Sequence, residues 1–302
     1  MRLARSLTRA VAAATLVALA GCGAAQAPVT PVKTGPPLPS TASVPHEEFA
    51  ELEREFSARL GVYAVDTGSG REVTHRAGER FAFASTIKAL LAGAVLRQRS
   101  LGGLGEVLTY TADDLVSHSP VTERHAGAGM PVRALLDAAV RYSDNTAANV
   151  LLDDLGGPEA LTAALREIGD DTTRSDRYET ELNTAVPGDV RDTSTPRAMA
   201  TSLRVFVLGD ALPPGERAFL TELLRTNTTG DTLIRAGVPA GWPVGDKTGA
   251  GGYGTRNDIA VVWPPGRDPI VLAVLSDRDS PDASHDDALV ARAAEVVVGT
   301  LR

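Results

Sequence analysis

Three short runs in this chain carry side chains that could act as a nucleophile and its helpers. In Ser85-Thr86-Ile87-Lys88 a serine and a lysine stand three apart, at the start of a segment with helical periodicity. Positions three apart share a helix face, so the Lys88 ammonium can approach the Ser85 hydroxyl. A serine is a poor nucleophile until a neighbouring base takes its proton, and a buried lysine with a depressed pKa can do so. A helix N-terminus beside Ser85 would also favour negative charge developing there. Taken alone, the run has a plainer reading, with Ser85 as a helix cap and Lys88 in solvent.

The second run, Ser143-Asp144-Asn145, follows a helical segment and by itself reads as a helix cap. The third, Lys247-Thr248-Gly249, ends a strand-like stretch beside Ala250-Gly251-Gly252 and by itself reads as a strand running into a flexible turn. All three together, in this order and at these separations, are hard to obtain by chance.

The elements that must position them follow from periodicity and breakers. Phe49, Leu52, Phe56 and Leu60 recur at helical spacing, and Gly61 reads as the stop. Val62 to Asp66 and Glu72 to His75 form a hairpin about Thr67-Gly68-Ser69-Gly70. Helical patterns then cover 87–98, 132–142, 147–155, 158–168, 196–208 and 214–225, with Pro131, Pro158, Pro196 and Pro214 at or near their starts. Strand-like runs return at 243–247, 258–263 and 270–276, before a closing Ala/Val-rich helix over about 286–301. The expected fold is α/β (α+β): a five-stranded antiparallel sheet built from both chain ends and flanked by helices, with an inserted all-α subdomain. The α/β part takes about 46–75 and 226–302, the helical part about 76–225. A crevice between the two would suit a substrate.

The three motifs resemble those of the serine penicillin-recognising enzymes. Within that group, Arg177-Tyr178-Glu179-Thr180-Glu181-Leu182-Asn183-Thr184-Ala185-Val186-Pro187-Gly188-Asp189, with Arg191-Asp192 and Pro196 beyond, resembles the Ω loop of class A β-lactamases. The resemblance spans about 46–302. It implies that Ser85 attacks the lactam carbonyl, Lys88 helps to activate it, Ser143 protonates the departing nitrogen and Lys247 supplies positive charge beside it. Glu179, with Asn183, would activate the water that releases the product. Asn145 would hold the side-chain amide of the substrate, and the backbone N–H groups of Ser85 and Ala250 would form the oxyanion hole. Thr248 and Arg256 would bind the substrate carboxylate, for which a guanidinium fork is well shaped.

Further implications are finer. Arg177 and Asp192 would pair across the neck of the loop, and Asp144 would be structural. His118 stands where many relatives carry an aromatic that stacks on substrate; it reads equally as a substrate-edge contact or an exposed loop histidine. Thr180 replaces a proline often found after the glutamate, in a family where that bond is often cis. Ala84 and Gly251 occupy positions joined by a disulfide in some carbapenem-hydrolysing relatives, a bond this chain cannot make. The rival within the group is a penicillin-binding D,D-peptidase, which lacks the deacylating carboxylate; the rival outside it is a non-catalytic binding lipoprotein.

The remaining sequence bounds partners and location. With a net charge of −8 the chain has no basic excess for nucleic acid. Five histidines without a close His-x-His cluster argue against a zinc enzyme, and no metal or other cofactor is expected. Arg2, Arg5 and Arg9 precede an apolar run to Ala20, and Leu19-Ala20-Gly21-Cys22 resembles the lipobox of bacterial lipoproteins. The expected layout is a lipoprotein signal peptide over 1–21, lipidation at Cys22, a disordered Ala/Pro/Thr/Ser-rich tether over 22–45 and the catalytic domain over 46–302. Cys22 is the sole cysteine, so no internal disulfide can form. The expected protein is an exported monomer on the outer face of the membrane, touching the membrane only through its anchor. Its partner would be a small β-lactam, penicillins and some cephalosporins.

Overall fold

The computed structural model describes residues 45–302; the leader, Cys22 and the tether before Pro45 lie outside the described residues. Helix α1 (His46–Phe56) leads into strands β1 (Arg59–Asp66) and β2 (Glu72–His75). Then come α2 (Ile87–Arg99), α3 (Val132–Arg141), α4 (Asn145–Leu155), α5 (Pro158–Glu167), α6 (Pro196–Val207), α7 (Pro214–Arg225) and the short α8 (Ile234–Gly237). Strands β3 (Val244–Ala250), β4 (Arg256–Val262) and β5 (Ile270–Asp277) follow, and α9 (Asp287–Leu301) closes the chain. The sheet order is β2-β1-β5-β4-β3, antiparallel throughout. The two ends of the chain meet along β1 and β5, where Leu60 faces Ser276 and Val65 faces Val271.

Both faces of the sheet are covered, so β1 and β5 are buried almost end to end, and β4 from Asn257 onward, rather than in alternation. Alternate side chains serve different layers. Leu60, Val62, Leu272 and Val274 pack with Leu289, Val290 and Val297 of α9. Tyr63, Val65, Ile259 and Ala273 face the helical side with Leu203 and Phe206 of α6. Burying side chains of this size is worth about 1.5–3 kcal/mol each. That apolar burial makes the sheet a rigid floor for the site.

One expected boundary is corrected. The first helix does not run to Leu60; it stops at Phe56, and Leu60 and Gly61 belong to β1. Ser57 adopts the left-handed conformation (φ 48°), and the Glu53 carboxylate accepts the N–H of Leu60, so the chain turns four residues before the glycine. Gly61 instead lets the strand pass under Phe81 and Pro196, since a Cβ there would lie 2.5 Å from the Phe81 ring. Among the described residues no helix is long and apolar enough to cross a membrane, and no cluster of His, Cys, Asp and Glu has the makings of a metal site.

Candidate active site

Ser85 lies in a 3₁₀ turn (Ala84–Thr86) that runs directly into α2, so its hydroxyl sits one turn before Lys88. Strand β3 passes hard against this turn. A Cβ on Gly249 would stand 3.2 Å from the Ser85 nitrogen and 3.0 Å from the Phe83 oxygen, so a side chain there would press on the turn. The next residue, Ala250, is the last of β3. Asn257 locks the junction, its side-chain amide donating to the carbonyls of Ala82 and Phe83.

The buried Lys88 ammonium is the hub. Its Nζ lies 3.0 Å from Ser85 Oγ, 2.9 Å from Glu179 Oε1, 2.5 Å from Asn145 Oδ1 and 2.8 Å from the Ser143 carbonyl. Ser85 Oγ is also 3.3 Å from Glu179 Oε1. Burial pushes the Lys88 pKa below its usual value, and the Glu179 carboxylate partly opposes that. On the other wall, Lys247 Nζ lies 3.1 Å from Ser143 Oγ. Its pKa is pushed down to about 7, first by burial and then by the Lys88 charge. Two ammonium groups and a carboxylate thus enclose two serine hydroxyls.

Residues 143–145 are positioned by Asp144, which caps α4 by accepting from Ala147 and holds the neighbouring loop through Val121 and Thr122. It is fully buried and structural. Asn145 spans the site floor, accepting from Lys88 and donating to the Ser117 carbonyl at 2.8 Å.

The loop over 177–192 delivers Glu179. Arg177 Nε meets the buried Asp192 carboxylate at 2.5 Å, closing the neck. The Glu179–Thr180 peptide bond is cis. Asn183 Nδ2 donates to Glu179 Oε2, while its buried Oδ1 has no hydrogen-bond partner among the described residues. The loop docks on the glycines after β3: Gly252 N–H donates to the Asn183 carbonyl, and a Cβ on Gly251 would lie 2.8 Å from that oxygen.

The outer residues are more loosely placed. Thr248 Oγ1 is 2.6 Å from Thr229 Oγ1. Arg256 opens β4, and its guanidinium already forms an ion pair with Asp287. His118 is exposed in a left-handed backbone conformation, with Nε2 3.2 Å from the Tyr142 carbonyl.

This fold and geometry have close counterparts. A profile described as the beta-lactamase enzyme family matches residues 45–301. The β-lactamase of Bacillus amyloliquefaciens is 55% identical over 87% of this chain and 86% of its own length. That of Amycolatopsis lactamdurans is 59% identical over 88% and 87%. The solved class A β-lactamase of Clostridium kluyveri superposes with a TM-score of 0.84 at 45% identity, covering 85% of this chain and 98% of that one. A halotolerant bacterial β-lactamase gives 0.83 at 57%, over 84% and 98%. The chain belongs to the class A β-lactamase family.

Three side chains that serve this lactamase site escaped the sequence reading. Asn149 clamps Glu179 from both sides, accepting its N–H at 2.8 Å and donating to its carbonyl at 2.9 Å. Its signal was present: it stands one helical turn beyond Asn145, on the same face of α4. Thr229 and Asp287, the partners of Thr248 and Arg256, carry no local pattern that marks them.

Proposed function

We propose that the protein hydrolyses the amide bond of penicillins and some cephalosporins through an acyl-enzyme on Ser85, and so confers resistance to them. The observation that carries this is Ser85 Oγ held within 3.0 Å of Lys88 Nζ and 3.3 Å of Glu179 Oε1. In the first step Oγ attacks the lactam carbonyl and its proton passes to the Lys88–Glu179 pair. The developing oxyanion faces the N–H groups of Ser85 and Ala250. As the C–N bond breaks, the Ser143 hydroxyl protonates the nitrogen and is reprotonated from the Lys88–Glu179 pair, which has just taken the Ser85 proton, while the Lys247 charge stands beside it. Water then attacks the ester, giving its proton to Glu179 while Asn183 Oδ1 orients it, and Ser85 leaves with a proton returned. Lys247, Thr248 and Arg256 bind the substrate carboxylate, Asn145 its side-chain amide, and His118 touches its edge.

The test uses intact-protein mass spectrometry with benzylpenicillin. Glu179→Ala should accumulate an adduct equal to the mass of the penicillin, and Ser85→Ala should show neither adduct nor turnover. Turnover at the parent rate by Glu179→Ala would remove the deacylating role. We also infer export as a lipoprotein, supported by the arginines before the apolar run and by Leu19-Ala20-Gly21-Cys22. Cys22→Ala should then release the protein into the medium; equal membrane retention of both forms would overturn this. We also infer a monomer, which light scattering at working concentration tests.

A further inference from the structure

Among the described residues four large apolar or aromatic side chains stand exposed, and two of them, Val186 and Val190, border one cavity of about 310 Å³. Its walls are the start of β1, residues 80–82, the lower part of the 177–192 loop and the end of β5; none of the catalytic side chains lines it. Five arginines do: Arg59, Arg80, Arg177, Arg191 and Arg278. Three have carboxylate partners, Arg59 with Asp277, Arg177 with Asp192 and Arg191 with Asp189.

The other two do not. Arg80 donates to the carbonyls of Thr172 and Thr193 and to the Thr193 hydroxyl. Arg278 donates to the carbonyls of Gly254 and Phe56. Neither has a carboxylate within salt-bridge distance among the described residues, and of the lining acids only the exposed Asp279 lies outside the three pairs. The lining therefore holds two uncompensated guanidinium groups against one carboxylate, in a chain whose net charge is −8. That overall charge repels anions at long range, so the attraction here is local and must come from fork-shaped hydrogen bonding. The apolar rim supplies the complementary half: Phe81, Val186, Pro187 and Val190 all line the space. Its volume sits at the small end of the range for ligand pockets, about 300–1,000 Å³.

We propose that this cavity is a binding site for a small amphipathic anion. A carboxylate or phosphate monoester engages Arg80 and Arg278, and its short apolar body rests on Val186 and Val190. Such a ligand ties the loop that carries Glu179 to the ends of β1 and β5, at a place separate from the substrate crevice.

The experiment is an amide-shift titration of the ¹⁵N-labelled protein at fixed ionic strength with isovalerate, isobutyl phosphate, isovaleramide and chloride. Isovalerate or isobutyl phosphate should give saturable shifts at residues 185–191 and 277–279, and the tighter of the two identifies the headgroup. The neutral isovaleramide and chloride should bind at least about tenfold more weakly, as expected when a charge-assisted bond is lost. Arg80→Met and Arg278→Met should each weaken binding about fivefold or more, and the matching Lys variants less so. If a Met variant does not fold, the amide control on the parent protein still decides. Equal binding of the amide, no shifts at 185–191, or shifts confined to 248–256 would overturn the proposal.

Discussion

Arg256 and Asp287 meet in a two-pronged ion pair, Nε 2.6 Å from Oδ1 and Nη2 3.1 Å from Oδ2. Asp287 is the first residue of α9, and Thr232 also donates to its carboxylate, so the guanidinium is fixed in direction and half neutralised before any substrate arrives. If Arg256 binds the substrate carboxylate as proposed, it does so in competition with its own partner. Arg256→Ala should lower kcat/KM for benzylpenicillin by about 10–100-fold, the range for losing a hydrogen bond to a charged group. Asp287→Asn should instead lower KM, by about two- to fivefold, because a partly solvent-exposed pair of this kind is worth a modest amount. Steady-state kinetics on the two variants check this; an unchanged KM in Asp287→Asn would mean that the pair does not restrain Arg256.

The sequence disclosed those parts of the architecture that rest on local pattern. Pro158, Pro196 and Pro214 do stand in the first helical turn, and the apolar runs do form a sheet from both chain ends. The end of α1 was hidden because a side chain decides it: Glu53 captures the Leu60 N–H and frees the chain for β1. The motif residues converge as their order implies, since Ser85 and Lys88 share a turn and Gly249 admits β3 beside them. Asn149 and Asp287 act on residues 30 and 31 positions away, across separate elements. Pairings of that kind follow from how helices and strands are packed, and no window of sequence contains them.

Lys247 should give the enzyme an alkaline limb. Its ammonium has a pKa pushed down to about 7 by burial and by Lys88, so the charge we propose for drawing in the substrate carboxylate fades as pH rises through that value. The free-enzyme pKa governs kcat/KM. That quantity should fall above about pH 7 for carboxylate-bearing substrates, while kcat holds to higher pH because a bound carboxylate restores the proton. Lys247→Arg keeps its charge and should lose the limb in pH–rate profiles over about pH 5.5–9.5. The same limb in that variant would assign it elsewhere.

His75 makes the fold acid-sensitive. Burial lowers its pKa, and the Glu53 carboxylate, whose Oε2 lies 3.4 Å from Nε2 without good hydrogen-bond alignment, only partly opposes this. The unfolded chain therefore takes up this proton first, near pH 6.5, and the folded protein only at lower pH. The stability tied to the neutral imidazole is complete above the unfolded pKa and is lost as pH falls through the folded one. Urea unfolding over about pH 5–7.5 should show stability falling with acid more steeply in the parent than in His75→Phe. Equal slopes in the two proteins would remove His75 as the cause.

Asn149 positions the base without touching substrate. Its side-chain amide accepts the Glu179 N–H and donates to the Glu179 carbonyl, so both backbone groups of the residue that carries the base depend on one side chain. Asn149→Ala leaves both unpaired in a part-buried place, at about 1–3 kcal/mol each. The melting temperature should fall by about 5–15 °C on the scale expected for a domain of this size. A purely structural residue would do only that. If the clamp also aims the carboxylate at the water, a displacement of about 1 Å can slow the step up to about 100-fold. Deacylation should suffer more than acylation, because Lys88 still contacts Ser85 Oγ at 3.0 Å. Asn149→Ala should therefore show a penicilloyl adduct by mass spectrometry during turnover, together with a lowered kcat and a lowered KM. Asn149→Asp keeps the acceptor and loses the donor, so it should fall between the two in both melting temperature and adduct. A variant that melts early yet turns over with no adduct, at an unchanged balance of acylation and deacylation, would reduce Asn149 to a loop anchor.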